Sequence, residues 1–352
     1  MSDRENSDGA NLTTPTEGGD RPAGWRDDWA AGPPMSAVGN RTPPDALDYP
    51  TLTYEVTGRV ARITFNRPAH GNAITSDTPR DIAAAVEHAD LDPRVHVILL
   101  SGRGKGFCGG YDLGMFAERW QDPGADESRT SVHEVGVDGT VLDPLVQATN
   151  HNPAGQWDPM VDFAMMSRNG RGFSSLLHAN KPVVAKLHGF CIAGGTDIAL
   201  HCDQIITADD VRIGYPPVRV WGVPSTGLWA HRIGDQRAKR MLFTGDSIDG
   251  KTALDWGLAV ESAPADRLDE VVEDYVARIA QMPINQLMMV KLALNSALLS
   301  QGVTNSAMIS TVFDGVSRHT REGYAFQTRS ATSGFKQAVR ERDEPFGDHK
   351  KG

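Results

Sequence analysis

Residues 182–200, PVVAKLHGFCIAGGTDIAL, carry the reading of this chain. The run opens as a short apolar stretch, Pro182 to Gly189, bounded by glycine, which predicts a buried strand. It then passes through the pair Gly194 and Gly195 into a segment of helical character. A glycine pair lets a ligand approach bare main chain, and a following helix start adds partial positive charge, which together suit an oxyanion. The same arrangement stands upstream. VHVILLSG, residues 95–102, predicts a second buried strand, and FCGGYDL, residues 107–113, brings a second glycine pair before a helical segment. Taken singly, each pair also reads as an ordinary glycine turn.

Outward from these two blocks, QIITAD, residues 204–209, repeats the strand more weakly. Tyr54 to Val56 and Val60 to Phe65 predict a hairpin turning at Gly58. A helix is expected from Asp77 to about Ala89, with Asp77 as N-cap and Pro79 in the first turn, where a missing N–H does no harm. Strands alternating with helices predict an α/β class. Residues 1–48 are rich in Gly, Pro, Asp, Asn and Thr and read as a disordered tail, leaving a core over 49–245. Within that core, residues 121–157 are polar and aperiodic and read as an inserted loop, a lid or a disordered segment. Met160 to Leu177 resumes a helical pattern, and Lys251–Trp256, Leu268–Ile279 and Ile284–Leu299 predict a helical C-terminal region over 246–352.

The 352 residues, 39% of them apolar, suffice for a sizeable core. Acidic residues outnumber basic ones 45 to 35 without long blocks of either sign, so neither nucleic acid nor an anionic membrane is the expected partner. Apolar runs fall short of the roughly 20 residues that span a bilayer. Three cysteines without metal-type spacing, and a polar start, predict a cytoplasmic protein with reduced thiols. Cys191 and Cys202 read as small core residues.

Two other motifs compete. GKGFCG, Gly104 to Gly109, matches a dinucleotide fingerprint, but the helix and the acidic residue that a Rossmann unit requires are replaced by the inserted loop. VPSTG, Val223 to Gly227, approaches a nucleophile elbow but has valine where the first glycine belongs, so Ser225 is a poor nucleophile.

NRPAHGNAI (66–74), GKGFCGGYDL (104–113), KPVVAKLHGFCIAGGTDIALHCDQIITADD (181–210) and TGDSIDGKTALDWGLA (244–259), in this order, resemble the crotonase, or enoyl-CoA hydratase/isomerase, family. The resemblance runs from about Tyr54 to Phe346. It implies a spiral of repeated ββα units with a helical C-terminal region that builds trimers or dimers of trimers. It also implies an acyl-coenzyme A thioester as partner, with no cofactor other than the coenzyme A of the substrate and no metal. The two oxyanion-hole N–H groups fall on Tyr111 and Gly194, and a tyrosine where the family has a small residue is expected to narrow the acyl pocket. Pantetheine and adenine would lie over Lys105 to Gly110, with Lys105 and Arg340 or Arg342 near the phosphates, and with Gly109, Gly110, Tyr215, Pro217 and Ser225 as further substrate-binding positions.

The family's two hydratase glutamates fall on Asp197 and Pro217, and only the first can carry a proton. Asp197 is therefore the expected acid/base group, its alternative being a carboxylate that merely suits a helix start. Tyr215, Arg219 and Trp221 flank the lost position and stand either as donors or as packing; His151 and Asp162 are weaker candidates, and His188 is expected to orient a turn. The activity implied is that of an acyl-CoA lyase or isomerase of the enoyl-CoA hydratase type. Double-bond isomerisation, or acyl-CoA binding without turnover, is the alternative.

Overall fold

The computed structural model of the chain describes residues 48–112 and 138–347. The expected tail, apart from Asp48, and residues 121–137 of the expected insertion lie outside them. The chain enters by a hairpin, β1 (Leu52–Thr57) against β2 (Val60–Phe65), paired from Leu52↔Phe65 to Thr57↔Val60. Gly58 closes it at φ +59°, a conformation that a side chain resists. Helix α1 (Thr78–Leu91) follows. Asp77 does precede it, but no side-chain cap bond forms; its carboxylate lies 3.2 Å from Arg80 instead.

Strands β3 (Val97–Gly102), β4 (Val183–Leu187), β6 (Gln204–Ala208) and β9 (Glu261–Ala263) join the hairpin in one sheet of order β1-β2-β3-β4-β6-β9, parallel from β2 onward. Strands β5 (Phe190–Ile192), β7 (Arg212–Gly214) and β8 (Ser247–Ile248) form a second, small sheet of order β5-β7-β8. Each pair β4/β5 and β6/β7 thus sends its first strand to the large sheet and its second to the small one. This is the ββα repeat that the sequence implied, wound as a spiral. Parallel sheets need cover on both faces, and Ile98, Leu100, Val183, Val184 and Ile206 are accordingly fully buried. Each such side chain contributes about 1.5–3 kcal/mol of burial free energy.

The cover comes from helices. Among the described residues these are, after α1, α2 (Pro144–Asn150), α3 (Pro159–His178), α4 (Gly194–Leu200), α5 (Leu228–Ile233), α6 (Asp235–Thr244), α7 (Gly250–Asp255), α8 (Leu268–Ala280), α9 (Ile284–Ser300), α10 (Val303–Arg318), α11 (Arg321–Ser333) and α12 (Phe335–Asp343). Helix α8 packs on β2, β3, β6 and β9, while α3 packs between α1 and α10.

Two features differ from the expectation. Helix α2 lies inside the stretch read as a loop, where Asp143 caps Leu145 N at 2.8 Å and Pro144 opens the helix. A seven-residue helix is too short for its apolar period to show. Likewise, the expected division after residue 245 runs through the sheets, since β8 and β9 lie beyond it and pair with β7 and β6. Two- and three-residue strands carry no alternation of their own, so only their partners reveal them.

No helix among the described residues is long and apolar enough to cross a membrane. The three cysteines are free and buried, so Cys191 and Cys202 are core residues as read.

Candidate active site

The two glycine segments meet. Phe107 N donates to Phe190 O at 2.9 Å and Ile192 N to Cys108 O at 3.0 Å, so that Cys108 and Cys191 form a short parallel bridge. Past the bridge both chains bend sharply: Gly110 sits at φ +95° and Ala193, with a side chain, at φ +53°. Glycine is required by space as well. A Cβ on Gly110 would lie 2.8 Å from Ala193 Cβ, and one on Gly195 2.5 Å from Cys108 O. His188 Nε2 stands 2.9 Å from Gly104 O.

Among the described residues, two amides at the bends have no backbone acceptor. Ile74 N donates to Gly110 O at 2.8 Å and Asp112 N to Ile74 O at 3.0 Å, which pins Tyr111 from both sides. Among the described residues, neither Tyr111 N nor Gly194 N donates to a backbone carbonyl. Gly194 is the first residue of α4, whose N–H has no partner within the helix. The Tyr111 ring lies against Gly194, since a Cβ there would be 2.9 Å from Tyr111 Cε2 and 2.7 Å from Ile74 Cδ1.

Beside these amides is a cavity of about 360 Å³. Gly109, Tyr111, Ala193, Tyr215 and Pro217 line it from the core, and Met165, Met166 and Asn169 from α3. Asp314 and Arg318 of α10 and Phe335, Val339 and Arg342 of α12 close the other side. The phenols of Tyr111 and Tyr215 are pushed well up, first by burial and then by the charges of Asp197 and Asp314. Tyr215 donates its hydroxyl to Val223 O at 3.3 Å, which keeps its ring in the wall.

Of the residues singled out in the sequence, Tyr111, Gly109, Tyr215, Pro217 and His151 therefore stand around one cavity, whereas Gly110 and Gly194 are outside its lining, each next in the chain to a lining residue. Arg342 joins them, whereas Lys105 and Arg340 are exposed and outside the lining. Trp221 is part of the wall, and Arg219 turns away to bond Thr244 O at 2.9 Å and Asp343 at 3.0 Å. Ser225 is not in the wall either; its hydroxyl donates to Asp197 Oδ2 at 3.1 Å. Asp197 itself is 0% exposed and not among the lining residues, with Oδ1 unpartnered among the described residues. Desolvation pushes its carboxyl up to about 8, Asp314 adding to the rise and Ser225 opposing it, so Asp197 is mostly protonated at neutral pH.

Asp162 and His151 belong to a buried charge network. The Asp162 carboxylate accepts from Asn150 (3.0 Å) and Trp157 (2.8 Å), meets His319 Nε2 at 2.9 Å and pairs with Arg318 at 3.1 Å. Against its desolvation, His319 and Arg318 hold it down at about 2. His151, Asp162 and His319 offer ligand atoms within 4.8 Å of one another. The Arg318 guanidinium already supplies the cation there, and burial drives His151 down to about 4.

Asp314, Arg318, Asn169 and Arg212, the last at the exposed rim, were not read from the sequence. The Asp314/Arg318 spacing of four residues was the available signal, an i,i+4 pair on one helix face.

The comparisons agree with this geometry. The Enoyl-CoA hydratase/isomerase family model matches residues 55–135 and 163–334. A crystal structure of an enoyl-CoA hydratase from Mycobacterium smegmatis is 59% identical, covers 86% of this chain and 97% of its own, and superposes with a TM-score of 0.78. An enoyl-CoA hydratase/isomerase from Xanthobacter autotrophicus Py2 is 25% identical, covering 85% and 99%, with a TM-score of 0.67. A probable enoyl-CoA hydratase of Rhizobium meliloti is 29% identical over 255 residues, 72% of this chain and 84% of that protein. Repeated ββα units, two convergent glycine turns and these matches lead to one conclusion: this chain belongs to the enoyl-CoA hydratase/isomerase family.

Proposed function

We propose that the protein is an acyl-CoA lyase of the enoyl-CoA hydratase type, which adds water across the double bond of an enoyl thioester. The observation that carries this reading is the pair of amides, Tyr111 N and Gly194 N, left without carbonyl acceptors beside a cavity of acyl size. Both donate to the thioester oxygen and stabilise the negative charge that gathers there as the enolate forms. Arg212 and Arg342 at the cavity, with Lys105 on the adjoining exposed turn, face the coenzyme phosphates. No cofactor beyond the substrate's own coenzyme A enters the reading. The apolar wall of Met165, Met166 and Trp221 takes the acyl chain, and the Tyr111 ring limits its width.

Asp197, mostly protonated at neutral pH, delivers a proton to the α-carbon through Oδ1, the oxygen that Ser225 leaves free. Because Asp197 has no exposed atom, substrate must displace neighbouring side chains to meet it. Pro217, with no titratable group, favours a second reading, double-bond isomerisation through a single carboxyl. Mass spectrometry of an acyl-CoA panel incubated with the protein separates the two. A gain of one water is the expected result; rearrangement at constant mass would replace hydratase by isomerase, and unchanged thioesters would leave only a binder.

The same reading makes the protein a homotrimer or a dimer of trimers. Met289, Leu292 and Leu294 of α9, with Ile309, Val312 and Phe313 of α10, are more than two-fifths exposed in the single chain, an apolar surface suited to further copies. Light scattering at micromolar concentration should return three or six times the chain mass, and a monomer would refute the assembly.

A further inference from the structure

The cavity wall contains two carboxylates, Asp314 and Asp343. Asp343 is gripped by Arg219 at 3.0 Å and Arg342 at 2.7 Å, which hold its carboxyl below the usual range against its burial. Asp314 is held differently. Arg318 pairs with it at 3.0 Å but also pairs with Asp162 at 3.1 Å, so one cation is shared between two buried carboxylates. Its other oxygen accepts a long bond, 3.3 Å, from Val223 N. Burial pushes the Asp314 carboxyl up, and Arg318 with the Val223 N–H offsets this only in part.

The bond from Val223 also fixes where Asp314 stands. Val223 follows Gly222, which lines the cavity at φ +143°, and a Cβ on Gly222 would lie 2.9 Å from Pro217 Cβ. Helix α10 is thereby tied to the loop that carries the proline. Moreover, Asp314 lines the same cavity as Tyr111, Tyr215 and Pro217, the residue at the lost position.

We propose that Asp314 is a catalytic carboxylate that activates the attacking water, the role for which position 217 has no group. This rests on the hydratase reading above. Asp314, ionised, takes a proton from water as the water oxygen bonds to the β-carbon. The double-bond electrons move through the α-carbon onto the thioester oxygen, held by Tyr111 N and Gly194 N. Protonated Asp197 then gives its proton to the α-carbon as the enolate collapses. One water has been added, and the enzyme resets as Asp314 loses its proton and Asp197 regains one, directly or through solvent.

The test needs a readout besides turnover, and a hydroxyl on the β-carbon provides it. Calorimetry compares 3-hydroxybutyryl-CoA with butyryl-CoA on the wild type and Asp314→Asn, alongside hydration of crotonyl-CoA. A hydrogen bond to a charged acceptor should make the hydroxy thioester bind about tenfold tighter to the wild type. Asp314→Asn should erase that preference, leave butyryl-CoA affinity unchanged and slow hydration by about 100-fold or more. Wild-type preference and rate in Asp314→Asn would overturn the role of Asp314 and leave the hydratase reading standing. Failure of the wild type to bind either thioester would overturn both. If the asparagine variant does not fold, Asp314→Glu keeps the Arg318 pair and moves the carboxylate by one methylene; at least tenfold loss of preference and rate supports the proposal, and wild-type values of both refute it.

Discussion

Gly194→Ala should reduce turnover by about 100-fold or more, the loss typical of one oxyanion-hole donor. The added methyl would fall 2.7 Å from Ile74 Cδ1 and 2.9 Å from Tyr111 Cε2, distances that real Cβ atoms do not tolerate. Ile74 can rotate its terminal carbon. Tyr111 cannot move as readily, because hydrogen bonds on both flanking residues tie it to Ile74, so relief must come from displacing the ring, the Gly194 amide or both. A shift of the Gly194 amide misaims that donor. Overpacking of this kind also costs about 1–3 kcal/mol of stability, visible as a lower unfolding temperature. Tyr111→Phe is the control: it keeps the amide and the ring, and its turnover should stay within about tenfold of wild type. Steady-state kinetics on the substrate found by mass spectrometry decides the matter. A Gly194→Ala enzyme of wild-type rate would remove the second donor from the mechanism.

Asp197→Asn should lose about 100- to 10,000-fold in rate while gaining stability at alkaline pH. The sign of the second effect follows from the carboxyl being pushed up to about 8 in the folded chain, from an ordinary value of 3.8. Below pH 3.8 the folded and unfolded forms are both protonated and the group has no effect. Between there and pH 8 the folded form holds a proton that the unfolded form has released, so stability falls as pH rises. Asparagine mimics the protonated carboxyl and can still accept from Ser225. Thermal unfolding should therefore match the wild type near pH 4 and exceed it near pH 8, by a few kcal/mol at most. A variant that is less stable at pH 8 would show Asp197 to be a stabilising anion, and a variant of full activity would move the proton to another residue.

Much of this protein was determined by sequence alone, because the signals are local. An apolar run closed by glycine specifies β3 and β4, and the glycine pairs specify the turns that bare the Tyr111 and Gly194 amides. These need only neighbouring residues, since a backbone conformation such as that of Gly110 at φ +95° admits little else. Asp197 was found through the family resemblance, at the place of the first glutamate, but a position along a chain does not say what covers a side chain. Only the packed molecule buries it, with Ser225 as its partner. For Asp314 and Arg318 the sequence offered only their i,i+4 spacing, which does not say what they face. They lie more than a hundred residues from either glycine turn, on a helix whose outer face is apolar, and they enter the cavity only because α10 packs against α3. Long-range packing thus decided which charges line the cavity, and burial and a shared cation bear on which of them can hold a proton.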